Sequence, residues 1–184
     1  DRGDLVAKIY KPRAMKETKE ILRKRSKLNV MIASPPNNPT ETQGHTSIAW
    51  PLDVLTNTSH DFCGFLMPRI RGVNLIHVYN PKLRQKTLND FNWKYLHVAA
   101  QNLAWIIHLI HNKGYVVGDI KPENILVNNR ALISIVDTDS FQVTDPVGGM
   151  VHLCPVGSVG LTPPELLGVD LGKVVQNHEH DNFR

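Results

Sequence analysis

The most informative stretch of this 184-residue chain is Gly118-Asp119-Ile120-Lys121-Pro122-Glu123-Asn124-Ile125-Leu126-Val127, followed by Val136-Asp137-Thr138-Asp139. An acid is followed two residues later by a lysine and five residues later by an asparagine, and a second acid lies thirteen residues beyond that asparagine. Phosphoryl transfer uses such a set, because a carboxylate orients the accepting hydroxyl, a cation neutralises the phosphoryl group, and an Asn and an Asp hold the bridging metal. The whole set is more specific than the alternative, a polar loop with a β-turn at Lys121-Pro122-Glu123.

The segments before this stretch predict strands and one helix. An alternating β-rich run predicts a strand over residues 5–10, and Pro12 ends it. A charged amphipathic pattern predicts a helix over 14–28, and clustered breakers predict a loop over 33–47. Two further strands are expected near 48–55 and 62–67. The candidate core positions of the helix are Met15, Ile21, Leu22 and Leu28.

After Gly72 the pattern becomes mainly helical, which predicts a lobe boundary there. A long helix is expected over 91–113, with Gly114 ending it in a left-handed conformation. Two short apolar runs, 124–127 and 132–136, predict a hairpin. Residues 144–164 should form an extended loop, and a short helix should begin near Glu165. The apolar positions of the long helix are Leu96, Ala99, Ala100, Leu103, Ile106, Ile107 and Ile110.

Composition excludes several classes of protein. Hydrophobic residues make up 41% and charged residues 21% of the chain, which is enough apolar material for a packed core. No apolar run of about 18 residues occurs, so membrane insertion is not expected. The net charge is +4, and its lysines and arginines concentrate in residues 8–27, which we interpret as a solvated helix face rather than a nucleic-acid patch. Cys63 and Cys154 are isolated and predict reduced thiols in a cytoplasmic protein.

Asp119-Ile120-Lys121-Pro122-Glu123-Asn124 resembles the catalytic loop of Ser/Thr kinases, in the protein kinase superfamily. The resemblance implies that Asp119 is the catalytic base and that Lys121 neutralises the transferred phosphate. It further implies that Asn124 and Asp137 are metal ligands, and that ATP and Mg²⁺ are the cofactors. Pro163-Pro164-Glu165 is similar to the motif that closes a kinase activation segment, and Asp181 to the buried Asp that opens the next large helix.

The same resemblance places the nucleotide. Val6-Ala7-Lys8 is similar to the strand motif whose lysine holds the α- and β-phosphates. Glu20 is the first candidate for the ion-pair partner of that lysine, and Glu17 is the second. By resemblance, Met67 is the gatekeeper, Ile70 offers its backbone to adenine, and Pro68 offers only its carbonyl. Ala7 and Leu126 would enclose the base.

Several residues depart from the usual kinase pattern. Val117-Gly118 stands where His-Arg normally precedes the catalytic Asp, and Asp137-Thr138-Asp139 stands in place of Asp-Phe-Gly. These departures resemble a branch of bacterial kinase-like proteins that are often fused to further domains. The resemblance implies a two-lobed α+β fold, with a partial small lobe over 1–71 that lacks its first strands and a truncated large lobe over 72–184.

Three functions remain open from the sequence. The first is an ATP-dependent Ser/Thr protein kinase with an unidentified protein substrate. The second is a small-molecule kinase of the aminoglycoside-phosphotransferase type, which Lys121 and the Pro-Pro-Glu motif disfavour. The third is a pseudokinase or nucleotide-binding scaffold, which the altered Asp137-Thr138-Asp139 favours. The retained lysine, acids and asparagine favour the first.

Overall fold

The computed structural model describes residues 4–88 and 90–184. Its first part is an antiparallel sheet of β1 (Leu5–Ile9), β2 (Asp53–Thr56) and β3 (Phe62–Pro68), in the order β1-β3-β2. Helix α1 (Thr18–Ala33) connects the first two strands. The strands predicted from alternation are therefore present, although residues 48–51 form buried loop rather than strand. Ile48 instead makes an isolated bridge to Ile135.

Helix α1 is shifted towards the C-terminus relative to the prediction. Residues Pro12–Ala14 form a short 3-10 turn, so the α-helix begins only at Thr18, and it continues to Ala33. Leu28 is buried as expected, and Ile21 packs against the core. Leu22 is exposed, so its assignment to the core is wrong. The helix is rotated so that Leu28 and Met31 supply its buried apolar side chains.

The second part is helical and carries the predicted hairpin. Helix α4 (Trp93–Asn112) matches the long predicted helix, and Gly114 follows it at a φ of 78°. Ala99, Ile106 and Ile110 are buried, whereas Ala100 is exposed. Strands β5 (Ile125–Val127) and β6 (Ile133–Ile135) form the hairpin, and the short β4 (Val73–Asn74) pairs with β5. The short helices α2 (Leu75–Tyr79) and α3 (Pro81–Thr87) are too short to show an apolar periodicity.

Residues 144–164 form an extended loop, as predicted. Strands β7 (Val143–Thr144) and β8 (Val151–His152) pair briefly within it. The helix expected at Glu165 is a single 3-10 turn over Pro164–Leu166, and α5 (His178–Phe183) follows. A capping box at Asn177 and His180 begins α5.

The hydrophobic core runs continuously from α1 to the hairpin and holds the catalytic-loop region against the sheet. Trp50 stacks on Tyr115 with 5.6 Å between ring centroids, and its indole N–H donates to the Met31 carbonyl at 2.7 Å. The tyrosine hydroxyl in turn donates to the Ser34 carbonyl at 2.8 Å. The mixed α+β class is confirmed, and the two-lobe division stays a prediction. Among the described residues, every helix is too short or too polar to cross a bilayer.

Candidate active site

The catalytic-loop region is fixed by a buried carboxylate from α5. Asp181 accepts backbone hydrogen bonds from Val117 at 2.7 Å and from Gly118 at 2.8 Å, and His111 lies 2.9 Å from the same carboxylate. Gly118 has a φ of 75°, and a Cβ there would lie 2.6 Å from the sulfur of Cys154. Glycine is thus favoured here for two reasons: the left-handed backbone conformation, and the lack of space for a Cβ beside Cys154. The anchored backbone presents Asp119 at a fixed point.

Asp119 is a buried carboxylate held on both oxygens. Lys121 Nζ lies 2.5 Å from Oδ2, and Ser158 Oγ donates to Oδ1 at 2.8 Å. Asn124 Nδ2 donates to the Asp119 carbonyl at 3.2 Å. The hydrogen bond to Asp119 raises the pKa of Lys121, so the lysine stays protonated. The arrangement can accept a proton from a hydroxyl while keeping a positive charge beside it.

The β5–β6 hairpin brings the two predicted metal ligands to one edge. Ile125 pairs with Ile135, and the Val136 N–H donates to the Asn124 carbonyl at 2.9 Å. Asn124, just before β5, and Asp137, just after β6, therefore lie at the same open end of the hairpin. Asp137 has a φ of 61°, a left-handed conformation that Asp tolerates better than most residues.

The donor set at this edge fits a magnesium ion. Since Asn124 directs its amide N–H towards Asp119, its Oδ1 is available as a ligand oxygen. Asp137 adds a partly exposed carboxylate, and Mg²⁺ prefers such oxygen ligands with water completing the shell. Within residues 4–88 and 90–184, no group of three His, Cys, Asp or Glu side chains converges as a metal site. A cation here would therefore depend on the asparagine.

Lys8 is bound by two acids of the Asp137-Thr138-Asp139 turn. Its Nζ lies 2.5 Å from Asp137 Oδ1 and 2.5 Å from Asp139 Oδ1. Burial alone would lower the pKa of Lys8, but the two carboxylates, Asp139 foremost, raise it above its ordinary value. The expected ion pair with Glu20 is not formed, because Glu20 pairs with Lys24 at 3.3 Å and Arg23 at 3.7 Å.

The strand register corrects one predicted residue. Lys8 faces Phe65 across the sheet, Ala7 faces Leu66, and Val6 faces Met67. Because successive side chains point to opposite faces, Val6, Lys8 and Met67 share one face and Ala7 lies on the other. Ala7 is therefore not brought together with Lys8 and Met67. On this strand, Val6 rather than Ala7 shares the face of Lys8.

Two of the remaining predicted nucleotide contacts line one cavity. Pro68 and Ile70 line a cavity of about 450 Å³ together with His45, Thr46 and Ser134. A second cavity of about 530 Å³ lies beside Asp137 and Asp139, between α1 and the extended final segment. Leu126 is half-buried on the hairpin, on the opposite face of β5 from its buried neighbours Ile125 and Val127.

Sequence reasoning missed three residues of this site. Ser158 bonds Asp119 from a Gly-rich segment, and no spacing pattern marks such a hydroxyl. Tyr10 Oη donates to Asp139 Oδ2 at 3.0 Å. The third is Asp139, which the kinase resemblance marks only as the replacement of a glycine, although two carboxylates flanking one small residue directly after a strand are a signal for a second charged ligand.

The chain is similar in sequence to proteins that are named as kinases. Protein kinase YegI from Escherichia coli strain K12 is 33% identical over 185 residues, and its O157:H7 counterpart is 32% identical. Human Citron Rho-interacting kinase is 34% identical over 98 residues, which is 53% of this chain and 5% of that protein. The chain is similar to protein kinases.

The alignments cover most of this chain but only a small part of each relative. The match to YegI covers 98% of this chain but 26% of that protein, so the chain spans about a quarter of the length of these relatives. No protein-family model matches the chain. The similarity is therefore to about a quarter of proteins that are named as kinases.

Proposed function

We propose that the protein transfers the γ-phosphoryl group of ATP to a Ser or Thr hydroxyl of a protein substrate. The observation that carries this proposal is the Asp119 carboxylate, buried and held by Lys121 and Ser158 beside Asn124. General-base catalysis needs a carboxylate fixed within reach of the hydroxyl proton. The proposal therefore rests on the contacts of Asp119 rather than on the nucleotide pocket.

In this reaction the hydroxyl oxygen forms a bond to the γ-phosphorus while the bond to the β–γ bridging oxygen breaks. ADP leaves with that electron pair, and Asp119 receives the hydroxyl proton. Lys121 lies beside Asp119 and would offset charge on the transferring group. Asn124 and Asp137 would hold Mg²⁺, which neutralises phosphate charge when bound. Lys8 would hold the non-transferred phosphates.

The adenine would lie against the face of the sheet that carries Val6 and Met67, with Leu126 beneath it. Backbone groups at Pro68 and Ile70 would supply its hydrogen bonds. The small lobe would comprise residues 1–71 and the large lobe 72–184, with the nucleotide between them. Lys8 and Asp137, which already meet in the structure, come one from each of these segments.

The test is phosphate incorporation from γ-labelled ATP with Mg²⁺, measured both on the protein itself and on casein as acceptor. Asp119→Asn should lower incorporation by about 100-fold or more, because a positioned base contributes roughly 10²–10⁴. Asp61→Asn, at an exposed acid in a distant turn, is the matched control and should leave the rate unchanged. Incorporation no greater than that of Asp119→Asn would contradict the proposal.

A nucleotide-binding scaffold is the second candidate. It is favoured by the pairing of Lys8 with two carboxylates, which occupies both the lysine and Asp137. Titration with a fluorescent ATP analogue separates the two functions. Affinity without turnover would support the scaffold, and loss of affinity in Asp137→Ala would indicate that binding depends on the metal ligand.

A further inference from the structure

Asp139 is the most enclosed acid beside Lys8. Its side chain is 12% exposed, against 42% for Asp137. Both of its oxygens have partners, since Oδ1 lies 2.5 Å from Lys8 Nζ and Oδ2 accepts the Tyr10 hydroxyl at 3.0 Å. Burial and the Asp139 carboxylate together raise the pKa of Tyr10, which therefore stays a neutral donor. A carboxylate with two fixed partners holds its ligand in one orientation.

Helix α1 supplies no carboxylate at this point. Glu20 is 43% exposed and is paired with its own helical neighbours, and Glu17 is exposed at the start of the helix. The charged residue that α1 buries is Lys27, a cation that is attracted to Asp139. The helix therefore directs positive charge to the region where Lys8 needs negative charge. The acid comes from the turn instead.

The turn that carries Asp139 is itself anchored. Thr138 is fully buried, and its hydroxyl donates to the Ala49 carbonyl at 2.8 Å. Backbone hydrogen bonds close a 3-10 turn over Thr138–Ser140, and Ser140 Oγ also donates to the Asp137 carbonyl at 2.8 Å. A functional side chain on such a fixed element needs no rearrangement to hold its partner.

We propose that Asp139 is a positioning residue that orients the Lys8 ammonium, in place of a carboxylate from α1. Lys8 keeps Asp139 when nucleotide phosphates are bound and exchanges Asp137 for them, which leaves Asp137 for the metal ion. Tyr10 fixes the second oxygen of Asp139. This inference rests on the proposed function, because it assigns Lys8 to the phosphates of ATP.

A double-mutant cycle on the full protein tests the proposal. Asp139→Asn, Lys8→Met and the double variant are compared for kcat, KM for ATP, and affinity for a fluorescent ATP analogue. Asp139→Asn should lower kcat/KM by roughly 10–100-fold, by analogy with the cost of losing a carboxylate that orients a metal-binding side chain. In the Lys8→Met background the same change should cost less than about threefold, because Asp139 acts through Lys8. A merely structural role would not produce this coupling.

Two further variants sharpen the result. Asp170→Asn removes an exposed acid that lines the same cavity and pairs with Lys173, so it should leave kcat/KM unchanged. Glu20→Gln should cost less than Asp139→Asn. Additive effects of Lys8→Met and Asp139→Asn, or a larger loss in Glu20→Gln, would overturn the inference alone. An unsubstituted protein that neither binds nor turns over ATP would overturn the proposed function, and the inference with it.

Discussion

At the residue scale, Gly118 is the tightest constraint on the catalytic loop. Its left-handed φ of 75° resembles that of Gly114 at 78°, but the two glycines differ in their surroundings. A Cβ at Gly118 would meet Cys154, whereas a Cβ at Gly114 would meet nothing within 4 Å. Substitution of Gly114 therefore tests backbone strain alone, and substitution of Gly118 tests the same strain together with a steric clash.

We expect Gly114→Ala to lower the free energy of unfolding by about 1 kcal/mol, the cost of a left-handed alanine. Gly118→Ala carries the same strain plus a clash with buried Cys154, so its cost should exceed that of Gly114→Ala by about 1 kcal/mol or more. Urea denaturation of both variants measures the difference. Equal costs would show that Cys154 yields without penalty.

The cluster around Asp119 was predictable because its residues lie close together in the sequence. Asp119, Lys121 and Asn124 lie within six consecutive positions, and the structure joins them directly. Residues that meet the site from distant segments had no such signal. Ser158 comes from 39 positions away, and the pairing of Lys8 with Asp139 spans 131 positions.

At the element scale, helix α1 buries a charge. Lys27 is 8% exposed, next to Leu28 and Met31 in the core-facing stripe. The pKa of Lys27 is lowered to about 8, mainly by burial; nearby Arg23 and Lys24 contribute to the lowering, while Cys154 and Asp139 oppose it. Burial lowers the pKa of the His152 imidazole, and the nearby charges of Lys27 and Arg23 lower it further. The helix thus keeps a residue that costs stability.

Lys27→Met should raise the free energy of unfolding at pH 7 by about 3 kcal/mol at most. This limit follows because the pKa of Lys27 falls from 10.5 to about 8 in the folded protein. Below pH 8 both folded and unfolded states are protonated and the burial cost is complete. Between pH 8 and about 10.5 the unfolded state binds more protons, so stability of the unsubstituted protein rises with pH and the gap narrows.

Denaturation at pH 7 and pH 9.5 measures this gap. Lys19→Met, at an exposed position of the same helix, controls for helix propensity and should show no comparable gain. A difference between Lys27→Met and the unsubstituted protein that stays constant or widens with pH would contradict the prediction.

The elements themselves were predictable where the pattern was long. Helix α4 and the β5–β6 hairpin were placed within a few residues, because their apolar periodicity covers the whole element. Helix α1 was displaced because its many charges leave only a weak apolar stripe. The helices α2 and α3 are too short for periodicity, and their side-chain caps at Asn74 and Asn80 were the available signal.

At the scale of the whole molecule, Asp181 joins the end of the chain to the catalytic loop. Its carboxylate is completely buried. It accepts hydrogen bonds from two backbone N–H groups and is also in contact with the side chains of His111 and Arg184. The sequence separation between Asp181 and the loop exceeds 60 residues. Resemblance to kinases pointed to a buried acid here, while its partners became known only from the fold.

Asp181→Ala should lower the free energy of unfolding by about 3 kcal/mol, since it leaves a buried guanidinium and two amides without their acceptor. Glu179→Ala removes an exposed acid from the same helix and should change stability by less than about 0.5 kcal/mol. Thermal and urea unfolding of both variants provide the comparison. Similar stability of the two would mean that the loop does not depend on Asp181.

The stacking of Trp50 on Tyr115 also gives the molecule an internal optical reporter. Trp50 is buried where α1, the sheet and the catalytic-loop region meet, whereas Trp93 and Trp105 are exposed on α4. Its fluorescence therefore arises in an apolar surrounding, distinct from the water-exposed emission of the other two. Since its indole N–H is bound near the end of α1, a displacement of that helix against the loop that carries Asp119 would change its emission.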